Sequence, residues 1–257
     1  MKIATWNINS AKAREERLLS WLKRFDPDVL CLQELKLVDE AFPREPVEAL
    51  GYHCALFGQK TYNGVAILSK SEPRDVRRGL EDDVDDDQAR LISANIDGVW
   101  VLSAYFPNGG EMGSDKYEYK LEWMDRLRAF LDRRFESDDE VALCGDYNVA
   151  PFPDDCSLPD FEGTVLANPD VRAALDHIRD FGFVDVFRPF HPTGGVYTWW
   201  DYRAMGFERN HGLRIDHVYC TQRLAETCIG AIVDRSEREG KGASDHAPVM
   251  VELDRPA

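Results

Sequence analysis

The 257-residue sequence has no apolar run approaching the ~20 consecutive residues that a membrane-spanning helix needs. Its first ten residues, MKIATWNINS, carry one Lys and alternate polar with apolar side chains. That pattern differs from a signal or transit peptide, which needs a basic or Arg-rich lead and an uninterrupted apolar or amphipathic stretch. We therefore expect a cytoplasmic protein with no membrane partner.

The sequence also lacks any CxxC pair, although it contains six cysteines. Cys31, Cys144 and Cys220 lie within apolar, strand-like runs, where a free thiol behaves as a small buried hydrophobic group. This distribution favours neither a zinc site nor a disulfide framework. We expect buried thiols and a reducing compartment.

Positive charge is scarce, with 31 Lys and Arg against 47 Asp and Glu and a net charge of −16. Such a balance argues against a nucleic-acid partner, because phosphate binding favours a basic surface. Much of the acid is concentrated in local runs at 81–87 and 136–140, however. A groove elsewhere could be locally positive or made so by a metal ion, so the net charge leaves the question open.

Linkers, repeats and low-complexity segments are absent, and we expect a single domain over residues 1–257. Helical spacing predicts three helices, and short apolar or alternating runs predict strands. The first helix should end at Asp26-Pro27, and Asp97-Gly98 should form a hairpin. The predicted helices are 13–28, 117–135 and 168–183, and the predicted strands are 3–8, 29–32, 64–69, 90–96, 99–106, 141–144, 214–220 and 247–253. This succession predicts an α/β fold of two mixed sheets with helices outside.

Polar side chains that suit chemistry follow or interrupt these predicted strands. They are Asn7, Glu34, Tyr105, Asn108, Asp146, Asn148, Asp216, Asp245 and His246. In layered α/β folds the strand ends line ligand sites, so we expect these side chains to share one crevice. Each has a simpler interpretation, such as a turn residue, a solvated acid or an Asx turn. Asp216 is the hardest to interpret that way, because a carboxylate between apolar neighbours needs a partner.

The residue types in this set suit metal-assisted hydrolysis of a phosphodiester. Asn7, Glu34 and Asp245 offer oxygen ligands, which a hard cation such as Mg²⁺ prefers. Asp146 and Asn148 are two residues apart, so on an extended segment they would face the same way. One could hold a water molecule while the other steadies an oxyanion.

Two further residues complete the predicted chemistry. His246 can pair with Asp216, which would fix the tautomer of the imidazole and raise its pKa. Tyr105 offers a phenolic donor to developing charge.

Nine segments in order between residues 5 and 249 resemble the exonuclease III-like abasic-site endonucleases of the endonuclease/exonuclease/phosphatase superfamily. They are TWNINS, LCLQELK, NGVAILSK, ARLISANI, SAYFPN, CGDYNVAP, YTWWDYRAMGF, GLRIDHVY and SDHAPV. The resemblance implies a four-layer αβ/βα sandwich of two mixed β-sheets flanked by helices. It also implies dependence on Mg²⁺ or Mn²⁺.

The resemblance implies a role for each matching residue in the strand-end set. Glu34 would be the principal metal ligand, with Asn7 and Asp245 close to the metal and Lys36 supporting Glu34. Asp146 would orient or deprotonate the attacking water, and Tyr105 would act as a phosphate donor or leaving-group acid. The residues implied to contact the scissile phosphate are Asn108, Asn148 and His246, the last of them paired with Asp216.

The resemblance also implies DNA contacts outside the chemical centre. Arg90, Tyr62 and Asn63 match positions that face the phosphate backbone, although a salt bridge and a plain hairpin are equally simple explanations. Trp199, Leu213 and Ile215 match an apolar pocket for the extruded abasic sugar, although one of Trp199 and Trp200 is expected to be plain core. Extruding a baseless nucleotide is cheap because it breaks no base pair.

Three functions are therefore open from the sequence. The first is DNA repair by a monomer that acts on double-stranded DNA with abasic sites or blocked 3′ ends, cutting 5′ to the abasic site and trimming 3′ ends. The second is a phosphodiesterase or phosphatase of the same superfamily with a small-molecule, lipid or RNA substrate. The third, a metal-free binding module, would predict loss of Glu34, Asp146 or His246, and all three are present. The pocket segment 197–216 favours DNA.

Overall fold

In the computed structural model, which describes residues 1–255, twelve of the fourteen strands form two six-stranded mixed sheets. The first sheet has the order β13-β14-β1-β2-β4-β3. Its strands are β1 (Lys2–Asn7), β2 (Val29–Gln33), β3 (His53–Phe57), β4 (Val65–Ser69), β13 (Cys228–Val233) and β14 (Val249–Leu253). Within it β1 and β2 run parallel, and the other pairs are antiparallel.

The second sheet has the order β5-β6-β7-β8-β12-β9 and the same mixed character. Its strands are β5 (Arg74–Arg78), β6 (Leu91–Ile96), β7 (Val99–Tyr105), β8 (Val141–Asp146), β9 (Phe183–Asp185) and β12 (Asp216–Thr221). Here β7 and β8 are the parallel pair. A separate two-stranded ribbon joins β10 (Trp199–Trp200) to β11 (Gly212–Leu213).

The three predicted helices are present, together with two short ones. They are α1 (Glu15–Phe25), α2 (Arg44–Glu48), α3 (Asp115–Arg134), α4 (Pro169–Arg179) and α5 (Gln222–Ala225). As predicted, the helix stops before Pro27. Asp26 follows Phe25 as the cap of α1, and its left-handed backbone reverses the chain. Asn168 caps α4 by accepting from the backbone N–H groups of Asp170 and Val171.

Three apolar cores separate four layers. Ile3 and Val29 of the first sheet pack against Ile92 and Val101 of the second, forming the core between the sheets. The outer face of the first sheet packs on α1, with Trp21 fully buried. The outer face of the second sheet packs on α3 and α4. The predicted four-layer sandwich of two mixed sheets flanked by helices is confirmed.

Gly145 shows why one motif position of the second sheet needs glycine. A Cβ atom at Gly145 would lie 1.9 Å from the carbonyl oxygen of Ala104 on the neighbouring strand β7. Any side chain would push β8 away from β7, because real Cβ atoms do not approach backbone oxygen so closely. Gly145 therefore sets the position of Asp146, the next residue.

The cysteine predictions can be compared directly with the structure. All six cysteines are free, and Cys31, Cys144 and Cys220 are buried, as the sequence predicts. Within residues 1–255 no helix has both the length and the apolar character needed to cross a membrane.

Candidate active site

The strand pairing brings the polar strand ends together at one crevice, defined by Asn7, Glu34, Tyr105, Asp146, Asp216 and His246. In the second sheet, Asp146 is the register partner of Tyr105 on one side and of Asp216 on the other. In the first sheet, Asn7 pairs with Gln33, so Glu34 follows directly beyond the end of β2. The crevice is thus assembled from both sheets.

Glu34 lies at the centre of the crevice. Its backbone is left-handed, with φ of 54°, and this turns the side chain back toward the strand ends. Its carboxylate accepts hydrogen bonds from Asn7 Nδ2 and the Tyr105 hydroxyl, both at 2.9 Å, and pairs with Lys36 Nζ at 2.8 Å. Burial opposes ionisation, but Lys36 and Asn7 outweigh it and hold the pKa of Glu34 below its usual value. Glu34 is therefore an anion available to a cation.

Asp146 is fully enclosed beside Glu34. Asn7 Nδ2 donates to both carboxylates, at 2.9 Å to each, and so links the two sheets across the crevice. Burial and the nearby Asp216 carboxylate raise the pKa of Asp146 to about 7, against the opposing effect of His246. A carboxylate with a pKa near neutrality is suited to accept a proton from water.

Asp146 and Asn148 meet through a turn. The backbone of Asn148 is left-handed, with φ of 50°, so the prediction of an extended segment at this point is wrong. Asp146 Oδ1 accepts from the backbone N–H of Asn148 at 2.9 Å, forming an Asx turn, and Asn148 Nδ2 lies 3.3 Å from Asp146 Oδ2. An Asx turn is the simpler interpretation of this sequence, and in the structure that turn brings the Asp146 and Asn148 side chains together.

His246 lies between two carboxylates. Its Nδ1 is 2.8 Å from Asp216 Oδ2, and its Nε2 is 3.7 Å from Asp146 Oδ2. Burial disfavours the charged imidazole, but Asp216 and Asp146 outweigh it and raise the pKa of His246 to about 10. The imidazolium is therefore the form expected at neutral pH, able to donate hydrogen bonds but unable to bind a metal.

The donor atoms of the crevice fit the metal that the sequence predicts. Glu34, Asp146 and His246 present ligand atoms within 4.8 Å of one another, and of these the two carboxylates can bind a cation while His246 is protonated. Oxygen donors of this kind suit Mg²⁺ or Mn²⁺. The amide oxygen of Asn7 accepts from the backbone N–H of Asn9 and so faces away from these carboxylates.

Asp245, the third predicted metal ligand, lies at the edge of the crevice. Asn9 Nδ2 donates to one of its oxygens at 2.8 Å and Trp199 Nε1 to the other at 3.1 Å. Burial opposes ionisation, but His246 and these two donors hold the pKa of Asp245 below its usual value. Asp245 is thus an anion close to the carboxylates of Glu34 and Asp146. Its role in metal binding stays a prediction.

A groove of about 590 Å³ opens beside Tyr105 and contains the residues predicted to face a phosphate backbone. Arg90 lines it and donates to Gln88 and to the carbonyl of Tyr105, both neutral acceptors. Tyr62 is 69% exposed at its rim. The side chain of Asn63 is buried and donates to Gln59, so Asn63 serves to hold its own loop together.

The three residues predicted to form an apolar pocket do cluster. Trp199 pairs with Leu213 in the β10–β11 ribbon, and Ile215 packs in the same cluster. Leu213 and Ile215 are buried, whereas Trp199 is partly exposed. Trp200 is the core residue of the pair, at 1% exposure. Of the three, Trp199 offers the most surface to a ligand.

Sequence reasoning did not identify three residues that shape the site. Asn9 accepts from Lys36 Nζ and donates to Asp245, and its place in TWNINS could have suggested a role. Lys120 is buried beneath Asn108 and Asn148, but nothing in its helical segment distinguishes it from a solvated lysine. No sequence pattern marks Arg214 as a buried residue either.

Arg214 is the centre of a buried ion network behind the pocket. It bonds Asp155 and Asp185, each at 2.7 Å, and donates to His217 Nδ1 at 3.1 Å. His217 Nε2 in turn donates to the carbonyl of Val149 at 2.9 Å. This network ties the 151–168 segment to β9 and β12, next to Asp216.

Comparison with known proteins gives a consistent result. A profile of the Endonuclease/Exonuclease/phosphatase family matches residues 4–246. The chain is 36% identical to exodeoxyribonuclease III of Haemophilus influenzae over 266 positions, covering 98% of this chain and 100% of that protein.

Two solved structures are similar along the whole chain. An AP endonuclease from Archaeoglobus fulgidus superposes with a TM-score of 0.96 at 41% identity, covering 99% of this chain and 100% of the other. The Neisseria 3′ phosphatase NExo, solved with a product DNA hairpin, superposes with a TM-score of 0.95 at 40% identity and the same coverage.

Proposed function

This chain belongs to the endonuclease/exonuclease/phosphatase family and is a DNA repair nuclease of the exodeoxyribonuclease III group, and we propose that it cuts the phosphodiester 5′ to abasic sites and trims 3′ ends. The same proposal includes a cytoplasmic location and action as a monomer. Its substrates would be double-stranded DNA with abasic sites or blocked 3′ ends.

The observation that carries this proposal is the contact set around Asn7. This one amide donates to Glu34 and to Asp146, and the protonated His246 lies 3.7 Å from the same Asp146 oxygen. An anion suited to a metal, a base near neutral pKa and a cationic donor therefore share one crevice. Metal-assisted hydrolysis of a phosphodiester can use these three functions together.

The roles of the chain's own residues follow from this geometry. Glu34, with Asp245 nearby, would hold Mg²⁺ or Mn²⁺, which when bound would supply Lewis-acid polarisation of a phosphate oxygen. Asp146 would take the proton of the attacking water, since its pKa is about 7. His246, held by Asp216, would donate to the phosphate together with the amides of Asn108 and Asn148.

Tyr105 would donate its hydroxyl hydrogen at the leaving side of the crevice. Burial, reinforced by Glu34 and Asp146, raises the pKa of Tyr105 well above its usual value. The phenol therefore stays protonated and serves as a hydrogen-bond donor.

The choice of substrate rests on the pocket beside the crevice. Trp199 is partly exposed next to Leu213 and Ile215, and its indole N–H is fixed on Asp245. A flat apolar wall of this kind suits a sugar without a base. Arg90 and Tyr62 in the groove would contact the backbone of the duplex.

The proposal is tested with a labelled duplex that carries one abasic analogue, incubated with Mg²⁺ or with EDTA, beside an undamaged duplex. Incision on the 5′ side of the lesion, dependent on the metal, is the expected result. A second duplex with a 3′-phosphate measures the trimming activity separately. Failure to process either substrate across a range of salt and metal concentrations would instead favour a small-molecule, lipid or RNA phosphodiesterase.

A further inference from the structure

Lys120 is a lysine with no exposed surface on a helix that otherwise buries apolar side chains. It lies on α3, whose inward face is formed by Trp123, Met124, Leu127 and other residues that pack on the second sheet. A buried ammonium costs far more free energy than an apolar side chain of similar volume unless its hydrogens find acceptors. The Lys120 ammonium therefore needs hydrogen-bond acceptors within the fold.

The ammonium donates to three backbone carbonyl oxygens. Lys120 Nζ lies 2.7 Å from the carbonyl of Asn148, 2.7 Å from that of Val165 and 3.2 Å from that of Asn108. Three acceptors require three donors, which the protonated amine has and a neutral amine lacks. Burial lowers the pKa of Lys120 to about 7, and the carbonyl dipoles of three separate loops favour its charged form.

Two of these loops carry the amides proposed to contact the scissile phosphate. Asn108 Nδ2 donates to Asn148 Oδ1 at 3.0 Å, and Asn148 Nδ2 donates to the carbonyl of Phe106 at 3.0 Å. The Lys120 ammonium holds the backbone carbonyls of both Asn108 and Asn148. It thereby fixes the position of one side-chain amide relative to the other. The same arrangement places Asn148 beside Asp146.

The lysine stem fits its surroundings closely. A Cβ atom at Gly109 would lie 3.0 Å from Lys120 Cδ and 3.4 Å from Val165 Cβ. Gly109 also has a left-handed backbone, with φ of 96°. The loop after Tyr105 can therefore lie directly on the lysine stem only because position 109 has no side chain.

We propose that Lys120 is a positioning residue for phosphodiester cleavage, holding Asn108 and Asn148 in the geometry that stabilises the transition state. The inference rests on the proposed function, because it assigns both amides to the phosphate. Lys120 itself lies beneath the crevice and touches no substrate.

The main test is Lys120→Met, which keeps most of the length of the side chain and removes its charge and donors. We expect kcat on the abasic duplex to fall by about 100-fold or more, because displaced donors no longer match the developing charge. KM should change by less than about threefold, since the amides act mainly in the transition state. Rates are normalised to the folded fraction measured by circular dichroism.

A matched control separates positioning from loss of stability. Leu131→Ala also removes buried contacts from α3, but about 16 Å further along the helix at 1.5 Å per residue. It should lower the melting temperature and leave kcat per folded molecule unchanged.

A second readout reports on geometry without activity, and it includes a milder variant. In the wild type the side-chain amide protons of Asn148, which is 4% exposed, should exchange slowly with solvent in NMR spectra. Lys120→Gln retains two donors and should fold even if Lys120→Met does not. We expect faster exchange at Asn148 in Lys120→Gln and unchanged exchange in Leu131→Ala.

The outcomes are distinguishable. If the wild type does not cut abasic DNA, the proposed function fails. If the wild type cuts and a folded Lys120→Met or Lys120→Gln has kcat within about threefold of it, the positioning role is overturned. A fall in kcat that only tracks the unfolded fraction would likewise reduce Lys120 to a structural residue.

Discussion

The Nδ1 atom of His246 lies 2.8 Å from Oδ2 of Asp216, and this pairing fixes both the orientation and the charge of the imidazole. The main chain of Asp216 is held by Thr198, because the backbone N–H of Asp216 donates to the Thr198 hydroxyl at 3.1 Å. The result is a cation fixed against Asp146 before any substrate arrives. Such preorganisation is the main source of electrostatic stabilisation in enzymes.

Replacing Asp216 with Asn should move the pH dependence of cleavage. Asp216 has the largest effect of the three carboxylates that raise the pKa of His246 to about 10, so its loss lowers that pKa. Because the charged imidazole is the active form, the alkaline fall in kcat should shift down by about one pH unit or more. Single-turnover rates across pH measure this, with the exposed Asp176→Asn as control. Superimposable profiles would show that Asp216 does not set the charge of His246.

Asp146→Asn and His246→Ala should each lower kcat by roughly 10³-fold while leaving DNA affinity nearly unchanged, because both residues act on the transition state. Single-turnover cleavage and gel-shift binding of the abasic duplex measure the two effects separately. Cleavage near the wild-type rate by either variant would contradict the proposed roles.

Glu34→Ala should raise the Mg²⁺ concentration that gives half-maximal cleavage by about tenfold or more, since it removes the central anion of the crevice. The loss also frees Lys36, whose cation would further oppose a metal. Mg²⁺ titrations of activity provide the measurement, and Glu45→Ala on the exposed face of α2 is the matched control. Unchanged titration curves for Glu34→Ala would rule out Glu34 as a metal ligand.

Arg214→Met should destabilise the fold by about 3–5 kcal/mol, because it leaves Asp185 buried without its cationic partner and leaves Asp155 with Arg188 alone. Urea unfolding gives the free energy directly. The exposed Arg223→Met, with its ion-pair partner 3.4 Å away, should cost less than about 1 kcal/mol. Equal stability of the two variants would show that the buried network contributes little.

His217 should make the protein less stable as the pH falls from 6.5 toward 4. Burial and Arg214 lower the pKa of His217 from 6.5 to about 4, so in this window the unfolded chain binds a proton that the folded chain does not. The contribution is on the order of 3 kcal/mol at about 1.36 kcal/mol per pKa unit. Unfolding free energies of the wild type and His217→Gln should converge as the pH falls. A constant difference between them across this range would contradict the shift.

Strand ends were the most informative feature of the sequence. Asn7, Glu34 and Asp146 were expected to share a crevice because each follows an apolar run, and the sheets do bring them within hydrogen-bond distance. Lys120 could not be found in this way, since a lysine among Glu122 and Asp125 in an amphipathic helix has the pattern of a solvated face. Lys120 is buried because the loops that contain Asn108, Asn148 and Val165 come together around its amine.

Two edge strands could not be predicted from local sequence patterns. The edge strand β5, Arg74–Arg78, is mostly charged and exposed, so neither alternation nor apolar content marks it. The edge strand β13 contains an irregularity between Cys228 and Gly230 that breaks its period. At Asp146 an Asx turn and a functional pair are not alternatives, because the turn brings the Asp146 and Asn148 side chains together.

The sharing of the crevice between two sheets has a consequence for the protein during its synthesis. Asn7 and Glu34 emerge early from the ribosome, whereas Asp245 and His246 follow every other site residue along the chain. Strand β14, which directly follows them, also completes the first sheet by inserting between β1 and β13. A nascent chain that lacks these residues therefore has neither a complete sheet nor an imidazolium beside Asp146. The proposed active site can therefore be assembled only after translation has passed His246.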